Sequence, residues 1–509
     1  MQSLELQHVV HGSRYWRLWA AGVILVAAIS SFTLATSSPA WFDEVMIVEW
    51  GRIALDHGDT DLSICLRSDS RRPYQAYQVF GTGLQELAYE LTAPSNVGPH
   101  AAAFLAAIAA SALFFSLMLG TGVPGPLALG LSLGLLLDPL FAQSYRGARV
   151  DSVAFLFLFA ALLFGQKSLA GTSAQKANVL WPALFGVALV LGALTWPSFL
   201  MLIPLLLVEL IRFGQQNGAR LPVATYRSRL VSCLAGMLLA GIVIIIPFGH
   251  ALQEALYDLV FSVTLQVRET EKTSLLHSVR AFADVYRMDV CILLFGIVSY
   301  FLRRDPLRLL ALGAAMAIAF LTGVYSHRVL YLLPYFYLSV AWWAGPTGAA
   351  ERVRAPFLPK MAVAAILATG VVMTLGVRTV SGMTDYGGKE VTTLVGAARA
   401  AIGPGDFSVV ISDAELYYAS RALGWRLLSG GGICEEGDPL SLPRSTEFYA
   451  QCRYALIGMP AKESSLDKLK KAGFVQSGVL LPEGGKQPRL FGHGFGAKSF
   501  GPYMILRRD

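Results

Sequence analysis

The stretch WFDEVMIVEWGR, residues 41–52, sets two adjacent acids, Asp43 and Glu44, just after an apolar run that starts at Leu18 and is long enough to cross a bilayer. Two readings of that acidic pair compete. Following TSSPAW, the acids fit the first turn of a helix, where carboxylates favour the dipole. Equally, they fit a chemical group working at the membrane surface. The rest of the chain has to decide.

Hydrophobic residues make up 54% of the 509 and charged residues 15%, with a mean hydropathy of +0.53, more apolar material than one soluble core of this length needs. The chain therefore reads as an integral membrane protein. Eleven segments have the length and composition for spans: 18–36, 101–119, 126–143, 151–165, 179–194, 198–211, 230–249, 289–302, 309–325, 329–345 and 361–378. The first resembles a secretory signal, with Arg14 and Arg17 before it and small residues after it, but its apolar run is longer than a signal core and reads as a retained anchor.

Lys and Arg in the connections orient the spans. With a cytoplasmic N-terminus, the inner connections carry 14 basic residues in 75 positions, against 11 in 115 for the outer ones, which puts WFDEVMIVEWGR outside. The formal charge of +7 is then topological and does not call for a nucleic-acid partner. Cys233 and Cys291 fall inside spans, whereas Cys434 and Cys452 fall in the outward tail, where pairing is chemically open.

The first outer connection, 37–99, holds two helices suited to the membrane interface. One covers 42–56. The other lies in PYQAYQVFGTGLQELAYEL, where Tyr74, Tyr77, Phe80, Leu84, Leu87 and Leu91 recur every three or four positions. A second outer segment, 250–288, reads as helix, polar turn, helix, and could form a lid. Beyond residue 380 the composition turns polar and no span follows. Strands are expected at 406–412, 454–460 and 503–507, with helices near 390–402, 414–423 and 464–472. The division is thus 1–380 for the membrane domain and 381–509 for a small C-terminal α/β domain on the outer side.

The outer face collects Asp43, Glu44, Glu49, Arg52, Arg71, Arg72, Asp138, Arg146, Arg149, Asp151, Arg268, Lys272, His327 and Arg328. Asp138 lies near the end of an apolar span, where an ionisable group usually faces a cavity or a partner; Arg146 and Arg149 nearby allow a plain ion pair instead. Arg146, Arg149 and Arg328 also suit lipid headgroups, and His327 alone suits a structural role. Taken together, a carboxylate and cations from separate outer loops meet the needs of transfer from a lipid-linked phosphate: a base for the acceptor proton and positive charge for the leaving phosphate.

The ordered set WFDEVMIVEWGR, RRPYQAYQVFGTGLQELAYEL, DPLFAQSYRGARVDSVAFLFLFAALLFG, GVALVLGALTWPSFLMLIPLLL and SHRVLYLLPYF, spread over residues 14–345, resembles the GT-C superfamily of membrane glycosyltransferases. The branch it resembles contains protein O-mannosyltransferases and the lipid A aminoarabinose transferase. The resemblance implies that Asp43, with Glu44 beside it, is the general base of an inverting transfer. It further implies that Arg146, Arg149, His327 and Arg328 hold the phosphate of a polyprenyl-phosphate sugar, and that the acceptor is a glycan, lipid or protein. The sequence departs from the branch at Arg149-Val150-Asp151, where an aromatic residue or proline often adjoins the arginine. Asp151, like Asp138, is then a second acid positioning acceptor or metal, or it caps the next span. A divalent metal is used by some members and not others, and no ligand set in the sequence selects one. Two rivals stand beside this reading. An O-antigen ligase or polymerase would want a large Arg- and His-rich late loop, for which SHR is too short. A lipid-linked sugar transporter would want polar, broken helices near the midplane.

Overall fold

The computed structural model describes residues 2–34, 42–55, 78–170, 179–216, 225–244, 275–322, 326–345, 357–377, 390–411, 413–427, 452–460, 463–486 and 499–508, with a few single residues and short strands besides. The protein is a polytopic α-helical membrane protein with a small mixed sheet near its C-terminus. Arg71, Arg72, Arg268, Lys272 and Cys434 lie outside the described residues, as does the segment 381–389 where the membrane domain was expected to end.

In chain order the helices are α1 (Gln2–Leu34), α2 (Phe42–Leu55), α3 (Val79–Glu90), α4 (Val97–Gly120), α5 (Gly125–Leu137), α6 (Pro139–Arg146), α7 (Asp151–Ala170), α8 (Leu180–Thr195), α9 (Ile203–Gln216) and α10 (Thr225–Ile244). They continue as α11 (Leu275–Val285), α12 (Val290–Arg303), α13 (Pro306–Thr322), α14 (Leu333–Ala344) and α15 (Leu358–Gly370). Each of the eleven apolar segments carries helix. Five described helices are long and apolar enough to cross a membrane alone, and seven if two bent pairs each count as one span. The expected span 126–143 is one of these pairs, bent by 48° between α5 and α6. Pro139 cannot continue α5, and Asp138 caps the new helix by accepting from the amides of Leu140 and Phe141 at 3.0 Å each.

The core is built on α4, α7 and α14. Ala103, Ala107 and Ala110 of α4 are fully buried and let α7 approach closely. From Val329 to Ala341 nearly every side chain is buried, so this tenth apolar segment is the centre of the bundle, apolar all round because protein surrounds it. Its tyrosine hydroxyls, which burial would penalise if unbonded, reach Asp151 from Tyr331 (3.0 Å), the Met201 carbonyl from Tyr335 (2.6 Å) and Asp138 from Tyr337 (3.1 Å).

The two interfacial helices pack on each other and on the bundle through glycines. A Cβ on Gly51 of α2 would sit 2.2 Å from the Thr82 carbonyl oxygen of α3, and one on Gly81 of α3 would sit 2.4 Å from the Thr195 carbonyl oxygen of α8. Helix α3 turns its polar residues Gln85 and Glu86 into the protein and leaves Leu87 and Leu91 exposed. That is the arrangement expected of a helix whose apolar edge meets lipid.

In the C-terminal region, α16 (Val391–Ala401), β1 (Ser408–Ile411), α17 (Leu416–Leu423), β3 (Tyr454–Gly458), α18 (Glu463–Lys471) and β7 (Tyr503–Arg507) fall where the sequence pattern puts them. The strands β2 (Arg426–Leu427) and β4 (Val475–Leu480) are additional, as is the antiparallel pair β5 (Arg489–Leu490) and β6 (His493–Gly494), and the larger sheet runs β2-β1-β3-β7-β4, parallel from β2 to β3 and antiparallel beyond. Cys452 is a free, buried thiol here.

Candidate functional site

Helix α2 begins at the acids, and its geometry separates them. Adjacent helical residues point about 100° apart, so one helix shows Asp43 and Glu44 to different neighbours. Asp43 keeps 26% of its side chain exposed and pairs with Nη1 of Arg149. Glu44 is fully buried. Its Oε1 accepts from Asn96 Nδ2 (2.9 Å) and from the Tyr418 hydroxyl (2.8 Å), and its Oε2 lies 3.1 Å from Nε2 of His100. Asn96 and His100 open α4, so Glu44 faces the membrane bundle and the C-terminal region while Asp43 faces the loop that carries Arg149.

That loop, Gly147–Val150, joins α6 to α7. Ala148 takes a left-handed φ of +50°, which a non-glycine residue rarely adopts, and its carbonyl accepts from Gln85 of α3 at 2.9 Å. The turn presents Arg149 between two acids: Nη1 to Asp43, Nε to Asp151 at 2.7 Å. Trp196 lies 5.4 Å from the guanidinium carbon, in cation–π range. Burial disfavours the Arg149 charge, but Asp151 and Asp43 outweigh it and hold the group protonated more firmly than usual. Its Nη2 is buried and has no hydrogen-bond partner, so one strong donor is left unspent.

Asp151 is the first residue of α7 and fully buried, accepting also from Ser144 (2.8 Å) and Tyr331 (3.0 Å). Asp138, one break earlier, spends one oxygen as a helix cap and the other on Tyr337, and its carboxyl lies beside that of Asp289 at the 111° bend before α12. Arg146 ends α6, half-buried, where a cation meets the carbonyl end of the helix. Arg328 is buried in the short helical turn Ser326–Val329, which also contains His327. Asp43, Arg149 and Asp151 are therefore in direct contact, Glu44 is turned away, and Asp138 belongs to a separate acid pair. Among the described residues no group of three or more His, Cys, Asp or Glu side chains converges as metal ligands do. A guanidinium stands between the two acids of the centre.

Several members of the site carry no local sequence signal. Helix α17 brings Tyr417 to Glu49 (2.7 Å), Tyr418 to Glu44, and Arg421 to Glu86 through two bonds of 2.8 Å. Burial raises both tyrosine hydroxyls well above their ordinary range, with the charges of Glu49 and Glu44 adding to it. Burial also lifts Glu86 to about 7 against the pull of Arg421. Asn96 and His100 do leave a trace in the sequence: a polar pair four residues apart, opening an apolar span.

No protein-family profile and no curated protein sequence matches this chain. Among solved structures it is similar to ArnT from Cupriavidus metallidurans in the apo state, at a TM-score of 0.55 and 13% identity over 97% of this chain and 98% of that one. It is likewise similar to the same protein bound to undecaprenyl phosphate, at 0.54 and 12% over 96% and 97%. A third similar structure is the Archaeoglobus fulgidus oligosaccharyltransferase tethered with an acceptor peptide, at a TM-score of 0.49 and 12% identity over 95% of this chain and 74% of that one. With the broken spans, the interfacial pair α2–α3 and the C-terminal sheet in hand, the likeness to ArnT over the whole length identifies the architecture: this chain has the membrane fold of that protein.

Proposed function

We propose that this protein is a membrane glycosyltransferase that moves a sugar from a polyprenyl-phosphate carrier to an acceptor at the outer face. The observation that carries the proposal is the Asp43–Arg149–Asp151 centre. It offers a part-exposed carboxylate for the acceptor hydroxyl and, within the same contact, a buried guanidinium with one donor unspent. The shared fold with ArnT bound to undecaprenyl phosphate supports the choice of carrier.

In this reading Asp43 takes the proton of the acceptor hydroxyl as its oxygen bonds to the anomeric carbon. The carbon–oxygen bond to phosphate breaks on the opposite face, the anomeric centre inverts, and polyprenyl phosphate leaves. Arg149 Nη2 donates to the phosphate, and Arg146, Arg328 and His327 add positive charge around it. Asp151 fixes Arg149 from behind, held by Ser144 and Tyr331. Where a divalent metal takes part, Asp43 and Asp151 are the acids nearest to hand, and it would supply further charge against the leaving phosphate.

The two broken spans, meeting at the Asp138–Asp289 pair, favour a second reading, translocation of a lipid-linked sugar without chemistry. One experiment separates the two. Purified protein in lipid nanodiscs or vesicles is given a panel of labelled undecaprenyl-phosphate sugars with candidate acceptors. The proposal expects sugar transfer, or slow donor hydrolysis, that Asp43→Asn lowers by more than about 100-fold while the protein stays folded. Full transfer by Asp43→Asn removes Asp43 as base. Lipid movement across the vesicle with no transfer from any donor favours translocation.

A further inference from the structure

We infer that the C-terminal domain is a working part of the active site: its helix α17 sets the position of Asp43 by holding Glu44 through Tyr418. The inference rests on the reading of Asp43 as the base.

Helix α2 is short, and it is claimed on two sides. Ile47 is fully buried in the core of the membrane domain, whereas Val45 and Val48 are fully buried in a separate core shared with Val391, Leu394, Leu416 and Tyr418 of the C-terminal domain. The apolar contacts fix how deep α2 lies, but non-directional burial leaves its rotation about its own axis loosely specified. Rotation is what decides where Asp43 points, because the site needs a carboxylate held close to one geometry.

Directional bonds to Glu44 supply that restraint. Its two oxygens are bonded from α4 on one side, through Asn96 and His100, and from α17 on the other, through the Tyr418 hydroxyl. A fully buried carboxylate is costly to strip of any of these bonds, so the set acts as a pin one residue from Asp43. The same helix adds Tyr417 on Glu49 at the next turn of α2, and Arg421 on Glu86 of the partner helix α3. One eight-residue helix thus bonds to four acids on the two interfacial helices, Arg421 reaching Glu90 as well at 2.6 Å. Glu44 has no free oxygen to take a proton from an acceptor, which makes it a positioning residue rather than a second base.

The test compares Tyr418→Phe, Glu44→Ala and Glu44→Gln in the full-length protein. Hydrogen–deuterium exchange is followed in Phe42–Leu55, with Val97–Gly120 as internal control, and the turnover of whichever undecaprenyl-phosphate sugar the panel yields is measured. Tyr418→Phe should speed exchange in Phe42–Leu55 only, and lower kcat about 10-fold with the donor KM unchanged. Glu44→Ala should lower kcat further, and Glu44→Gln, which keeps an acceptor for Tyr418 and Asn96, should recover most of that loss. Wild-type exchange and kcat in Tyr418→Phe overturn the inference while an inactive Asp43→Asn leaves the base standing. A Glu44→Gln as dead as Glu44→Ala overturns it too, by giving Glu44 a chemical role. If no donor in the panel turns over, exchange alone decides, and an unchanged Phe42–Leu55 overturns it.

Discussion

Two buried arginines, Arg149 and Arg308, show how the same residue type serves different ends. Arg308 sits at the far end of the spans, at the start of α13. Its Nε and Nη2 bond to the two oxygens of Glu209 at 2.8 and 3.1 Å, its Nη1 lies 3.5 Å from Asp305, and its carbon is 3.6 Å from the Trp342 ring. Every nitrogen is occupied, and Trp342 covers a face of the guanidinium. Arg149 also has two acids and a tryptophan, but its acids come from different helices, Asp43 remains part-exposed, and Nη2 bonds to nothing. A saturated pair has nothing left to offer a ligand, whereas one with a spare donor beside an accessible acid does. Burial alone would have ranked the two equal.

The largest effect is therefore expected from Arg149→Lys. A lysine keeps the charge but cannot bridge Asp43 and Asp151 and still donate to a phosphate. Transfer should fall by about 100-fold, and binding of undecaprenyl phosphate should weaken by about 10-fold. If Arg149→Lys binds undecaprenyl phosphate as tightly as wild type, the spare donor is not the phosphate site. The next largest is a loss of stability: Arg308→Ala strands Glu209 in the interior and should cost about 3 to 5 kcal/mol. Thermal unfolding in detergent reads this directly. A loss of activity in Arg308→Ala that exceeds its loss of folded protein would break the division between the two arginines.

Much of this architecture is legible in the sequence because burial in a membrane leaves a one-dimensional trace. The eleven apolar segments all carry helix, and Asp43 of WFDEVMIVEWGR meets Arg149 of SYRGARV. Apolarity cannot distinguish a lipid-facing span from a central one, so 329–345 gave no hint that it forms the buried axis. Nor did it reveal the break at Asp138, although Pro139 was the local sign of it. Strand β4 escaped because VQSGVL is largely exposed and shows no alternation. What no local pattern contains is pairing across distance: Arg149 with Asp43 is 106 positions apart, and Tyr418 with Glu44 is 374. The adjacency of Asp43 and Glu44 made them look interchangeable, and only the neighbours brought by the fold tell them apart.

Arg421 extends the comparison to a half-buried arginine, and it gives the smallest and most specific expectation. It bonds both oxygens of Glu86, as Arg308 does with Glu209, but burial lifts Glu86 to about 7 from an ordinary value of 4.5 despite that partner. The folded protein then binds a proton at Glu86 between about pH 4.5 and 7 that the unfolded chain has released. Stability from this group is fully present below the lower value and declines as pH rises through the upper one, by at most about 3 kcal/mol in all. Thermal midpoints in detergent should accordingly fall between pH 5 and pH 8 in the wild type, and Glu86→Gln should flatten that fall by keeping a neutral group in place. An unaltered slope in Glu86→Gln would assign the pH dependence to other groups. It would also make the Arg421 contact as saturated, and as indifferent to its surroundings, as the pair at the opposite end of the spans.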